Sequence, residues 1–119
     1  MSYVDGFVVP VPKGKLAEYR KLARKAGKIW IEHGALQFVE NVADDVKPGK
    51  WTSFPQSVKL KPDEVVMFSY IVFASRRARD AVNKKVMADP RLAAMMDPKS
   101  MPFDGKRMFW GGFKTIVKL

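Results

Sequence analysis

The sequence predicts an α+β fold, a ferredoxin-like βαββαβ sandwich in which two helices cover one face of a four-stranded antiparallel sheet. Three observations predict it. Two stretches repeat apolar residues at three- and four-residue spacing, four are rich in β-branched and aromatic residues, and the two kinds alternate as strand, helix, strand, strand, helix, strand. A chain of 119 residues supports one core and is too short for two, so a single domain over residues 1–119 is expected.

Residues 3–11 are rich in Val, Phe and Tyr and stop at Pro12, which reads as the first strand. Over residues 13–33, Leu16, Tyr19, Ala23, Ala26, Trp30 and His33 share one helical face, and Gly34 stands where a left-handed closing residue belongs. Residues 36–41 follow as a second strand. Residues 41–63 exceed the length of ordinary irregular connections. Within them Trp51, Phe54 and Val58 have helical spacing and Pro55 opens a short turn, so this segment is expected to pack down and form a lid. EVVMFSYIVF, residues 64–73, is the third strand. Ser75 caps a second helix that runs to Asp89 before Pro90, RLAAMMD is one more short helical piece, Asp104-Gly105 turns, and residues 107–119 form the last strand.

The third strand does not alternate. One face reads Val65, Met67, Ser69, Ile71, Phe73 and the other Val66, Phe68, Tyr70, Val72, so both ask for burial, unlike a half-exposed antiparallel strand. Each large apolar side chain left in water forgoes ~1.5–3 kcal/mol in a domain stable by only ~5–15. A second copy laid sheet to sheet removes that loss, and a homodimer is expected. The adjacent Gly111 and Gly112 belong, on this reading, where a partner or ligand comes close to the last strand.

Lys and Arg number 22 against 12 Asp and Glu, a net charge of +10, but the basic residues are spread along the chain and read as solvated surface before a polyanion patch. The absence of Cys excludes disulfides and thiolate metal sites and fits a cytoplasmic protein. No apolar run approaches the ~18 residues of a membrane helix, and the first fifteen residues make a poor signal peptide.

VDGFVVPVPKGKLAEY, HGALQFVENVADDV, TSFPQSVKL, SRRARDAVNKKVMADPR and MPFDGKRMFWGGF together resemble the YbaA-like family of uncharacterised bacterial proteins, which belongs among the dimeric α+β barrels. The resemblance covers nearly the whole chain. It implies a ferredoxin-like protomer and a two-subunit barrel but supplies no activity to carry over. Related barrels include cofactor-free monooxygenases, small-ring isomerases and heme-binding or heme-degrading proteins, and fold analogy does not choose among them.

The candidate ligand-binding residues are His33, Glu40, Asp45, Ser53, Arg76 and Arg107. His33, the only histidine, suits a base or a ligand, and equally suits the carbonyls at a helix end. Glu40 shares a strand face with Leu36 and Phe38, where burial would raise its pKa toward general-base duty. Asp44 and Asp45 follow it, but the spacing matches no calcium or magnesium loop, and no metal is expected. Arg76, Arg77 and Arg79 crowd a helix start and need compensation, either by Asp44, Asp45 or Asp80 or by an anionic ligand. Ser53 and Arg107 add polar contacts. No Ser/His/Asp triad or phosphate loop is present. The site is expected where the end of the first helix, the long loop and the start of the second helix converge.

The expected function is a barrel that binds, with or without transforming, a small apolar or weakly acidic metabolite, using no permanent cofactor. Whether it is an enzyme stays open. The alternative is a single-stranded nucleic-acid module, since Phe68 to Phe73 carry the aromatic spacing of an RNA-recognition strand. The basic-glycine pair that should precede it is replaced by Val66 and Met67, which makes nucleic acid the lesser expectation. A structural or protein-interaction role is the third.

Overall fold

A computed structural model describes residues 2–119. β1 (Tyr3–Pro12) leads through a 3-10 turn at Lys13–Lys15 into α1 (Leu16–Glu32), and β2 (Gln37–Val42), the short α2 (Phe54–Ser57), β3 (Glu64–Phe73), α3 (Arg76–Met87), α4 (Pro90–Met95) and β4 (Phe109–Lys114) follow. The strands form one antiparallel sheet in the order β2-β3-β1-β4. This is the ferredoxin-like arrangement that the element order predicts.

Local chemistry sets the helix boundaries. Gly34, at φ +119°, turns the chain out of α1 through the left-handed region. Ser53, Ser75 and Asp89 cap α2, α3 and α4 by accepting hydrogen bonds from the backbone N–H groups of Gln56, Ala78 and Arg91.

The strand register divides the sheet into two faces. On the helix-covered face, Ile71 and Phe73 pack against Ile29, Val82, Val86 and Leu92, while Val9, Val11 and Met67 pack around Tyr19. The opposite face is covered only at one end, where Val58 of the long loop buries Val8 and Val66 and the ring of Phe54 meets Phe68 edge-on at 5.8 Å. Beyond that cover the face is bare: Phe68 is 45% exposed and Phe113 64%. The burial expected on both sides of β3 is therefore complete on one side only, because a single chain supplies one helical layer. The loop does pack down through Val58, although Trp51 stands in solvent, and it lies on the open face instead of roofing a helix-side cavity.

Two further expectations change. The last strand stops at Lys114 and starts at Phe109, because beyond Lys114 the chain passes the start of β1, where Thr115 N–H still reaches the Ser2 carbonyl but no neighbouring strand continues. The glycine pair also has an internal cause. A Cβ on Gly112 would fall onto the Tyr3 hydroxyl and ring and, at 2.9 Å, onto the Arg79 guanidinium. On the other face the Phe113 ring lies over Gly111. The close approach is made by the chain's own side chains.

Candidate functional site beside α1

The C-terminal half of α1 touches the sheet at Gly27, where a Cβ would stand 2.6 Å from a ring carbon of Phe38. Only a glycine lets helix and strand come so close. Alongside this contact, an open groove of about 1050 Å³ runs between α1 and the edge of the sheet. Leu16, Ala23, Ile31, Phe38, Val42 and Met67 make its apolar walls, Arg20, Arg24 and Lys28 stand along its helical side with Glu32, and Tyr19 and Glu40 supply polar groups at its floor. A smaller cavity of about 110 Å³ lies between sheet and helix, bounded by Phe7, Trp30, Ile71 and Met108. Glu40, Tyr19, Phe38 and only these border both spaces.

The register of β2 on β3 places Glu40 directly across from Ser69, the one polar side chain among the helix-facing residues of β3. The Tyr19 hydroxyl donates to Glu40 Oε1 at 2.7 Å, and Ser69 Oγ donates to the same oxygen. Among the described residues no donor reaches Oε2, and that atom is not sealed from solvent. Burial pushes the Glu40 carboxyl above the ordinary glutamate range, with the Ser69 and Tyr19 hydrogen bonds pulling the other way. Burial, together with the charge on Glu40, pushes the Tyr19 phenol up, which keeps it a neutral donor. The result is a carboxylate with one oxygen fixed, the other free, and a raised proton affinity at the junction of two apolar spaces.

A second buried polar cluster lies at the other end of the helix face and is held by ion pairs and hydrogen bonds, with Asp5 Oδ1 and Arg79 Nε left without a hydrogen-bond partner among the described residues. Trp30 Nε1 donates to Asn83 Oδ1 at 3.0 Å, Asn83 Nδ2 donates to Asp5 Oδ2 at 3.3 Å, and Arg79 pairs with Asp5 at 3.6 Å and Asp80 at 3.1 Å. Arg79 also lies over the Tyr3 ring at 5.0 Å. Burial raises the Asp5 carboxyl's pKa against the opposing pull of Arg79 and Asn83.

The residues singled out from sequence do not converge. His33 Nε2 lies 2.8 Å from Asp89 Oδ2 and ties the end of α1 to the cap of α4. Ser53 caps α2, Asp45 is exposed in the loop, and Arg76 is exposed at the start of α3. The loop leaves β2 opposite Met67, whereas α3 starts beyond Phe73, so six residues of strand, roughly 20 Å, separate Asp45 from Arg76. Compensation at the start of α3 comes to Arg79 from Asp5 and Asp80, not from Asp44 or Asp45. Arg107 grips Glu64 with both terminal nitrogens, at 2.7 and 2.5 Å, and Asp104 with Nε at 3.0 Å. Only Glu40 faces the groove. Its partners Tyr19 and Ser69 escaped the sequence reading, though a lone serine inside an apolar strand was the available signal. Among the described residues no cluster of three or more His, Asp or Glu side chains is placed to hold a metal ion, and no helix is long and apolar enough to cross a membrane.

The family model described as "Protein of unknown function (DUF1428)" matches residues 2–105. The chain belongs to the DUF1428 family. It is 50% identical over 117 residues to the uncharacterised protein YbaA of Escherichia coli strain K12, covering 98% of both chains, and equally similar to YbaA of Shigella flexneri. Solved structures share the fold of this DUF1428 chain at low identity. SnoaB, a cofactor-independent oxygenase from Streptomyces nogalater, superposes with a TM-score of 0.61 at 13% identity over 98% of this chain and 96% of its own. A NIPSNAP family protein from Agrobacterium tumefaciens gives 0.62 at 18% identity over 98% and 94%. A putative antibiotic biosynthesis monooxygenase from Nitrosomonas europaea gives 0.57 at 12% over 97% and 90%.

Proposed function

We propose that this DUF1428 protein is a cytoplasmic homodimer, joined through the open faces of its two sheets, and that each protomer binds a small apolar, weakly acidic metabolite in the groove beside α1. Glu40 Oε2 accepts the acidic proton or a hydrogen bond from the ligand, and no permanent cofactor takes part. The observation that carries the reading is the Glu40 carboxylate itself, held by Tyr19 and Ser69 on one oxygen and left free on the other where the groove meets the inner cavity. A raised carboxylate pKa matches a base to weak carbon or oxygen acids. The fold shared with a protein described as a cofactor-independent oxygenase makes base-assisted chemistry without a cofactor a reasonable extension.

The dimer rests on the composition of the open face. By register its strand residues include Val4, Val39, Phe68, Tyr70, Val72 and Phe113, and no Lys or Arg of the four strands points there. A single-stranded nucleic acid needs cations beside its stacking rings, whereas a second apolar sheet needs none. A thermal-shift screen of aromatic and aliphatic weak acids, run on wild type and Glu40→Gln at pH 6 and 8, tests the site. Stabilisation of the wild type that is lost in Glu40→Gln supports it. Equal stabilisation of both proteins refutes Glu40 as the acceptor, and light scattering at the 13.5 kDa protomer mass refutes the dimer.

A further inference from the structure

The core beneath the helices is split in two. Ile71, Phe73, Val82 and Leu92 belong to one cluster, with Phe7, Trp30 and Phe38 packed on it, whereas Val9, Tyr19 and Met67 belong to another that Met108 joins. The inner cavity of about 110 Å³ is the seam between them, walled by Phe7, Trp30, Phe38 and Ile71 from the first cluster and by Val9 and Met108 from the second. Close-packed interiors hold few voids larger than a water molecule, which needs only ~10–15 Å³. A water also needs ~2–4 polar partners. Here polar side chains stand at one end only, where Tyr19 and Ser69 hold Glu40. The rest of the space suits carbon, and an apolar cavity of ~150 Å³ is known to take up benzene. The seam therefore has room for one six-membered ring and not for two fused ones.

Most of its walls are fixed. Trp30 Nε1 donates to Asn83 at 3.0 Å, and Asn83 in turn donates to the buried Asp5 at 3.3 Å. The Phe38 ring lies 5.9 Å from that of Trp30 and is pressed from behind by the backbone at Gly27. Phe7 and Ile71 stand on β1 and β3, the two central strands. Met108 differs from all of these. It precedes β4, lies outside every helix and strand, and is only half-buried. An unbranched thioether of this kind fills a gap adaptably and tolerates replacement.

We propose that the inner cavity is the subsite for a single unfused ring carrying an acidic hydroxyl, and that Met108 sets the size of ring admitted. This rests on Glu40 as the acceptor in the function proposed above. The hydroxyl donates to Glu40 Oε2 at the mouth, the ring lies between Trp30 and Met108, and a substituent on the ring leaves through the groove beside α1. A site built to accept a hydroxyl proton discriminates sharply against the analogue that lacks it, whereas size selection depends on how far one wall can give.

The test titrates phenol, toluene and 2-naphthol calorimetrically into wild type, Met108→Ala, Met108→Phe and Glu40→Gln, and follows the indole N–H signals of Trp30, Trp51 and Trp110 by NMR. Wild type should bind phenol at least tenfold more tightly than toluene or 2-naphthol, with the Trp30 signal moving and that of the exposed Trp51 staying. Met108→Ala should bind 2-naphthol at least tenfold more tightly than wild type does, a gain that misfolding cannot produce. Met108→Phe should lose phenol while its circular dichroism stays that of the wild type. A wild type that prefers 2-naphthol, a phenol affinity that neither Met108 variant changes, or binding of none of the three probes overturns the ring subsite. So does a Met108→Phe variant that melts higher with phenol affinity intact, which marks the seam as a packing void only. Weak acids that stabilise the wild type through Glu40 but are indifferent to Met108 overturn the ring subsite and leave Glu40 as the groove's acceptor. Equal phenol affinity in wild type and Glu40→Gln removes that acceptor, and this proposal with it.

Discussion

Arg107→Ala separates a structural latch from a ligand contact. Glu64 is 6% exposed, and its carboxylate is held by both terminal nitrogens of Arg107, while the same guanidinium donates to the carbonyls of Val58 and Lys59 at 3.3 and 3.2 Å. The approach to β4 is thereby pinned to the loop that covers the open face. Removing the arginine leaves a buried carboxylate with the Lys61 N–H, at 2.8 Å, as its remaining donor. Breaking a fully buried pair costs ~3–5 kcal/mol, and the partial access of water to Arg107 together with the surviving N–H brings this to ~2–4 kcal/mol. With an unfolding entropy of ~2.1 cal/mol/K per residue, 1 kcal/mol corresponds to about 4 °C here, so Tm should fall by about 8–16 °C at pH 7. The hydrogen bonds from Arg107 hold the Glu64 carboxyl below its usual range. A depressed carboxylate pKa contributes stability that is present above the unfolded glutamate pKa and is lost as pH falls through the folded value. The gap between wild type and variant should therefore narrow on acidification below about pH 4. Calorimetry from pH 3 to 7 reads both effects, and a shift under about 2 °C at pH 7, or a gap that widens in acid, refutes the latch.

Glu40→Gln keeps an acceptor for Tyr19 and Ser69 and removes the charge that burial disfavours; because the folded pKa is raised, ionised Glu40 costs stability as pH rises, so the variant should melt a few degrees above wild type at pH 8 and level with it near pH 4, and a lower Tm at pH 8 would contradict the raised pKa. Gly112→Ala drives a methyl into Tyr3 and Arg79 and should cost ~1–3 kcal/mol in urea denaturation, whereas an unchanged midpoint would mean that the two side chains swing aside freely. Arg76→Ala removes an exposed side chain that makes no ion pair among the described residues and should stay within ~0.5 kcal/mol of wild type by the same assay; a larger loss would point to an anion or partner at the start of α3.

What the sequence determined by itself is what depends on neighbours in the chain. The two amphipathic helices, the strand at residues 64–73, the cap at Ser75 and the closing Gly34 all follow from side-chain periodicity and backbone preference within a few residues, and they are enough to order the elements of a ferredoxin-like sheet. The inward side of Glu40 was legible for the same reason, as strand alternation put it with Phe38. Tertiary structure alone decided who meets it. Tyr19 lies on a helix and Ser69 on the neighbouring strand, 21 and 29 residues away, and their common hydrogen-bond partner is set by the β2–β3 register and by how α1 settles on Phe38 through Gly27. The same holds for His33 with Asp89 and Arg107 with Glu64, which read as available polar groups until folding paired them across 56 and 43 residues. Gly112 shows the limit most directly: a missing side chain announces a close approach, but local sequence carries no information about which distant atoms, here those of Tyr3 and Arg79, occupy the space.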